Sequence, residues 1–112
     1  KAVTFLRSVN GATNIFRVRL DGSDPRQITS FTDGEIFDHE LSPDGQRFLM
    51  IRRTDNDNLW IAAADGGHPL MLTHFDSGDF SGMEWMSPDG RRVLFNHGND
   101  TSDVVLIRGV RL

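Results

Sequence analysis

Ser42-Pro43-Asp44-Gly45-Gln46-Arg47-Phe48-Leu49 returns along the chain as Ser87-Pro88-Asp89-Gly90-Arg91-Arg92-Val93-Leu94, with six of eight positions identical at an offset of 45. A second block, Asn14 to Phe31, returns as Asn58 to Phe75 at an offset of 44, and keeps Asn14/Asn58, Asp21/Asp65, Gly22/Gly66, Pro25/Pro69, Thr29/Thr73 and Phe31/Phe75. A fixed period of this length is the mark of a repeat architecture, in which one unit cannot bury its apolar surface alone. The offset grows because Phe75 to Ser87 is twelve steps where Phe31 to Ser42 is eleven. One added residue near Trp85-Met86 accounts for this, and a β-bulge is the structural form expected there.

Within one period the local chemistry is that of short antiparallel strands. Phe48 and Met50, with Arg52 in line, alternate with Leu49 and Ile51. Both faces of that strand are therefore apolar, as in a strand covered on each side. Ser-Pro-Asp-Gly makes a turn because Pro presets φ, Asp bonds nearby amides and Gly suits the last position. Thr54-Asp55-Asn56-Asp57 gives the next polar connection. Leu59-Trp60-Ile61 opens a strand ending at Asp65-Gly66-Gly67, and Leu70-Met71-Leu72-Thr73 makes a fourth before Phe75. Four strands per period give ten in the chain: three before Thr32, four from Ile36 to Phe75, and three from Phe80 to Val110. For the first strand, either Val3 and Phe5 or Thr4 and Leu6 face inward.

Composition agrees. The chain has 112 residues, with 38% hydrophobic and 25% charged, enough apolar surface for one compact domain or a piece of a larger one. Asp outnumbers Glu 13 to 3, and 11 Gly and 6 Asn accompany them, which favours turns and strands over helices. A net charge of -4 argues against nucleic acid as a partner, because duplex binding needs a concentrated basic face and Arg52-Arg53 and Arg91-Arg92 lie among aspartates. Without cysteine there is no disulfide framework or thiolate metal site. The longest apolar run, Leu59 to Ala64, is far short of the roughly 20 residues that span a bilayer, so no membrane insertion is expected.

Four short strands every 40 to 50 residues are the signature of a propeller blade. Leu41-Ser42-Pro43-Asp44-Gly45, Arg47-Phe48-Leu49, Asn58-Leu59-Trp60-Ile61, Asp65-Gly66-Gly67 and Leu72-Thr73 resemble, in order and spacing, the TolB-type, WD-like β-propeller repeat. The pattern departs at Trp85-Met86, where the aromatic expected immediately before Ser87 is displaced by one position. The resemblance implies an all-β fold of four-stranded antiparallel blades in a partial propeller of about two and a half to three. The expected division is 1–32 as a partial blade lacking its innermost strand, 33–76 as a complete blade, and 77–112 as a partial blade lacking its outermost. Similar propellers close with about six or more blades, so a C-terminal fragment of a larger bacterial protein is expected. Open blade faces would favour self-association. The resemblance also leans toward an extracytoplasmic or periplasmic setting.

No nucleophile elbow, phosphate-cradling glycine loop or His-Glu-x-x-His is present, so no enzyme activity and no cofactor are expected. Asp38 and Glu40 stand two apart on the predicted innermost strand, hence on one face and about 6 to 7 Å apart. That matches the carboxylate spacing of an inverting glycosidase, but any acidic i, i+2 pair on a strand has it, and lining a wet channel explains it. His68 and His74 are about 20 Å apart if extended and cannot share an ion. Asp55-Asn56-Asp57-Asn58 hints at a calcium loop, yet Trp60 stands where the required Gly would be, and a solvated hairpin is expected. Phe16, Phe48, Trp60, Trp85 and Phe95 read as core between blades.

Asp38, His39, Glu40 and Glu84 are the candidate binding residues, polar where a purely structural strand tolerates apolar ones. The sequence thus points to a non-catalytic binding or scaffold module for a protein, peptide or small ligand. The alternative is an accessory propeller of a larger enzyme, a prolyl-oligopeptidase-type peptidase or a bacterial receptor-like protein kinase.

Overall fold

The computed structural model describes residues 2–85, 88, 91–98 and 100–106, the last span by its backbone alone. Of the second Ser-Pro-Asp-Gly turn only Pro88 is among the described residues, and of Trp85-Met86, near which the added residue is expected, only Trp85.

The strands are β1 (Ala2–Val9), β2 (Ala12–Arg19), β3 (Arg26–Gln27), β4 (Glu35–Leu41), β5 (Arg47–Arg53), β6 (Asp57–Ala63), β7 (Leu70–Met71), β8 (Phe80–Trp85), β9 (Arg92–His97) and β10 (Asp100–Leu106). They form three antiparallel sheets in the orders β1-β2-β3, β4-β5-β6-β7 and β8-β9-β10. The Ser42 to Gly45 turn closes by a bond from the Gly45 amide to the Ser42 carbonyl at 2.8 Å, and Gly45 takes φ +75°. The Ser42 hydroxyl donates to Asp44 at 2.6 Å, and that carboxylate accepts the Gln46 amide at 3.1 Å. These bonds, that from Ser42 foremost, hold the Asp44 carboxyl below its ordinary pKa.

The outer strands are only two residues long, shorter than the sequence pattern suggests, because side chains take over their ladder. Asn58 accepts the Phe75 amide at 2.7 Å and donates to the Phe75 carbonyl at 3.1 Å. The Thr73 hydroxyl donates to Asn58 at 2.8 Å and accepts the Leu59 amide at 2.9 Å. Asn14, Thr29, Ile15 and Phe31 repeat these four bonds at 2.7 to 3.0 Å.

The middle sheet is buried on both faces. Phe48, Met50 and Ala62 pack with Ile15 and Ile36, flanked by Leu6, Ile28 and Phe31 from the first sheet side. Leu49, Ile51, Leu59 and Ile61 pack with Trp85, Val93 and Phe95 of the last sheet. Phe48, Trp85 and Phe95 are thus buried, and Phe16 and Trp60 half-buried, in line with the core reading. Leu49, Met50, Leu59 and Ile61 are fully buried, each worth roughly 1.5 to 3 kcal/mol of transfer free energy. The first strand takes the register with Thr4 and Leu6 toward the middle sheet: Leu6 packs in its cluster while Val3 and Phe5 remain 46% and 37% exposed.

A planar group sits in the same slot between successive sheets. Arg52, with a side chain only 3% exposed, lies 3.8 Å from the Phe31 ring centroid and 4.8 Å from that of Trp60, and pairs with Asp33 at 2.7 Å. His97 occupies the corresponding place one repeat on, stacked on Phe75 at 3.6 Å. Gly34 and Gly78 make room for them: a Cβ on Gly34 would meet the Arg53 carbonyl at 2.7 Å, and one on Gly78 would meet the His97 ring at 2.8 Å.

Bulges interrupt β4 between Ile36 and Asp38 and β8 between Phe80 and Gly82, equivalent positions at an offset of 44. The ladder then runs unbroken to Trp85, opposite Val93. The observed bulge is therefore common to both inner strands and is not the added residue. Three sheets stacked in chain order, the central one four-stranded, are those of a partial β-propeller.

Asn58→Ala removes both bonds to the Phe75 backbone and strands the Thr73 hydroxyl, so it is expected to cost about 2 to 3 kcal/mol. Urea unfolding followed by circular dichroism measures this, and a loss under about 0.5 kcal/mol would contradict the role given to the lock.

Candidate functional site

The inner strands hold the polar residues singled out in the sequence. In β4 the bulge at Phe37 resets the alternation after buried Ile36, so that Asp38 pairs with Ile51, His39 with Met50 and Glu40 with Leu49. Asp38 and Glu40 thus share the face turned toward the last sheet, and both are exposed. Glu84, opposite Leu94 in β8, is also exposed and stands at the position equivalent to Glu40. Burial, then the charges of Asp38 and Glu84, push the Glu40 carboxyl above its ordinary pKa. Glu40 therefore feels one carboxylate on its own strand and one on the next inner strand.

His39 points the other way. Its Nε2 lies 2.9 Å from the Thr4 hydroxyl of the first sheet, and its ring tilts over Phe48 at 6.2 Å. Burial lowers its pKa, against an opposing pull from Asp38. The four candidates expected together are split by strand alternation: Asp38 and Glu40 share one face of β4, Glu84 holds the equivalent place on β8 and faces away from the side that Val93 and Phe95 pack on the middle sheet, and His39 ties two sheets from the other face of β4. Thr4 escaped sequence reasoning because the register of β1 depends on tertiary packing. Trp85 marks the same region: its indole N–H donates to the Glu40 carbonyl at 3.1 Å, joining the last sheet to β4.

The other sequence candidates are absorbed by the fold. Asp57 is buried and pairs with Arg53 at 2.6 Å, and Asn58 belongs to the lock, so this hairpin is structural rather than solvated. His68 sits in a turn at φ +52° and His74 follows β7, so they do not share a strand. Among the described residues no three His, Cys, Asp or Glu side chains converge as a metal requires. A depression of about 570 Å³ lies away from the acids, where Asp44, Gln46, Arg47, Asp65 and His68 meet. Its two carboxylates already serve turns, Asp44 as above and Asp65 through the Gly67 amide at 2.8 Å. A smaller hollow of about 210 Å³ opens beside Glu84, lined by Gly82, Met83, Leu94, Phe95 and Asn96.

Stacked antiparallel sheets, the central one a four-stranded blade, with a polar inner edge define a β-propeller module. Compared with known proteins, the chain has the fold of a TolB-type propeller segment: a solved structure from Agrobacterium tumefaciens, provisionally designated TolB, superposes with a TM-score of 0.67 at 21% identity over 85% of this chain. The chain spans 34% of that structure. No protein-family model matches the sequence, and no curated protein does.

The shifts have opposite consequences for stability. For His39 the unfolded chain binds the proton more readily, so its stabilising contribution is intact above about pH 6.5 and is lost as pH falls below it. For Glu40 the folded chain binds the proton more readily, so the penalty is absent below about pH 4.5 and grows as pH rises. Glu40→Gln is expected to raise the urea midpoint at pH 7, by a few tenths of a kcal/mol for so exposed a group, with the gain vanishing near pH 4. His39→Gln is expected to flatten the loss between pH 6.5 and 5. Parallel profiles for wild type and variants would refute the assignment.

Proposed function

We propose that the chain is a non-catalytic binding or scaffold module whose inner edge receives a protein or peptide bearing basic side chains. One observation carries this: Asp38, Glu40 and Glu84 are exposed carboxylates on the inner strands of two successive sheets, Glu40 and Glu84 at equivalent positions of the repeat. Burial, then the charges of Asp38 and Glu84, oppose the ionisation of Glu40, and carboxylates perturbed in this way cluster at functional sites. A catalytic reading is weaker, since His39, the nearest proton carrier, hydrogen-bonds Thr4 on the opposite face.

The hollow beside Glu84 on the last sheet supports self-association through the open blade face at that end. The span relative to the Agrobacterium protein supports a role as part of a larger propeller. Among the described residues no helix is long and apolar enough to cross a membrane, and the fold likeness favours an extracytoplasmic setting.

A thermal-shift titration at fixed protein concentration tests the binding role. Arg- and Lys-rich peptides are expected to raise the melting temperature, with the rise shrinking in high salt and lost in the Asp38→Asn, Glu40→Gln, Glu84→Gln triple variant. No peptide-dependent rise, or an equal rise in the triple variant, would sink the proposal. Light scattering at micromolar concentration is expected to give more than the 12.6 kDa monomer mass, and a monomer would remove the self-association part.

A further inference from the structure

The ladders align the outward face of the first sheet with a face that is covered in the second. Leu6 lies opposite Ile15 as Ile51 lies opposite Leu59, which equates Val3, Phe5 and Arg7 with Phe48, Met50 and Arg52, and Phe16 with Trp60. In the middle sheet Phe48, Met50 and Arg52 are buried, under a neighbour that ends in Phe31-Thr32-Asp33-Gly34. In the first sheet Val3 and Phe5 are exposed, and so is Arg7. Half of the slot is already built: the Arg7 guanidinium stands 5.8 Å from the Phe16 ring, as Arg52 stands 4.8 Å from Trp60. Among the described residues Arg7 has no ion pair, whereas Arg52 has Asp33.

A second mark lies at the far end of the same face. Gly66 and Gly22 are repeat equivalents, with φ +90° and +83°. A Cβ on Gly66 would fall 1.7 Å from the Ile28 carbonyl of the preceding sheet, so this glycine is needed for contact between sheets; one on Gly22 would meet nothing within 4 Å. The first sheet thus carries both contact features of a covered face, the planar cation and the close-approach glycine, without the cover.

We infer that this face is a docking surface for one occupant: a further blade of the same repeat from outside these 112 residues, ending in aromatic-x-Asp-Gly. Its aromatic stacks on Arg7, its aspartate pairs with the guanidinium, and its outer-strand carbonyl meets Gly22. The chemistry follows from the slot filled at Arg52, where aromatic faces and a carboxylate together hold a desolvated guanidinium. A second copy of this chain fits less well. Its own Phe31 is engaged with Arg52 and its Phe75 with His97, so both aromatics that stand at this place in the repeat are already used.

Because Ala2 stands where Arg47 stands one repeat later, placing a duplicate of residues 2–46 directly ahead of Ala2 adds one repeat in register. The extended chain is expected to melt several degrees above the parent. Arg7→Ala at the original position should lower its melting temperature by an amount comparable to Arg52→Ala, and should shift the parent by about 1 °C or less. Asp33→Asn in the added copy alone should reproduce much of the Arg7→Ala loss. An extended chain that melts at or below the parent, or an Arg7→Ala shift equal in both chains, would overturn the inference. So would a parent dimer weakened tenfold or more by Arg7→Ala in sedimentation equilibrium, since that would make a second copy the occupant.

Discussion

The fold depends on a buried side-chain lock that does the work of a missing strand. An outer strand two residues long leaves the backbone beyond it with donors and acceptors that must find partners once the next sheet covers them. Asn14 and Asn58 supply them, each meeting both the amide and the carbonyl of one aromatic residue, while Thr29 and Thr73 bridge the asparagine to the neighbouring strand. Every polar atom of the asparagine–threonine pair that these bonds use is satisfied, which is the condition for a buried polar network to stabilise rather than destabilise. The lock also fixes where Phe31 and Phe75 stand, and those rings are the pads on which the next sheet rests.

This joins strength within a sheet to strength between sheets. Arg52 loses its hydration against Phe31 and Trp60, a cost met by Asp33 and two ring faces although its Nε has no partner. At the equivalent place His97 offers a flat ring instead of a flat cation, and it too stacks on the locked aromatic. What the slot selects is planarity, with Gly34 or Gly78 leaving room beside it; charge is optional. Misplacing the asparagine lock would move the aromatic and open the slot, so the two kinds of contact are coupled rather than additive.

Turn chemistry is local, which is why so much of this architecture is legible in the amino acids alone. Ser42-Pro43-Asp44-Gly45 closes as its residue types dictate, and the alternation in Phe48 to Ile51 reports a strand covered on both sides. Legibility fails where a partner from a distant segment decides. Val3-Thr4-Phe5-Leu6 is apolar on both faces, and only the middle sheet selects Leu6. Arg52 stands in line with Phe48 and Met50, but what buries it, Phe31 and Asp33 reaching it from another sheet, is not written in its own strand. Asp57 reads as part of a loop and is buried by Arg53. At the candidate site, spacing foretells that Asp38 and Glu40 share a face, and the 44-residue offset places Glu84 beside them; the partnership of His39 with Thr4 hangs on the unreadable register of β1.

Geometry separates the two kinds of surface that this molecule presents. Strand faces are for stacking: their exposed members, Val3 and Phe5, match residues buried one repeat later, so their exposure reflects an absent neighbour. The inner edge has no such explanation. Glu40 stays near Asp38 and Glu84 although burial first, and then their charges, oppose its ionisation, and a structural strand loses nothing by avoiding that conflict. Stacking would not relieve it either, because each added blade with an acid at the same position brings another negative charge to the same rim. A cationic partner does relieve it, and the relief grows with every blade that contributes a carboxylate. On the proposed reading, stacking through the faces and binding at the edge would reinforce each other, because the contacts that close the stack also concentrate the charge that a basic ligand would meet.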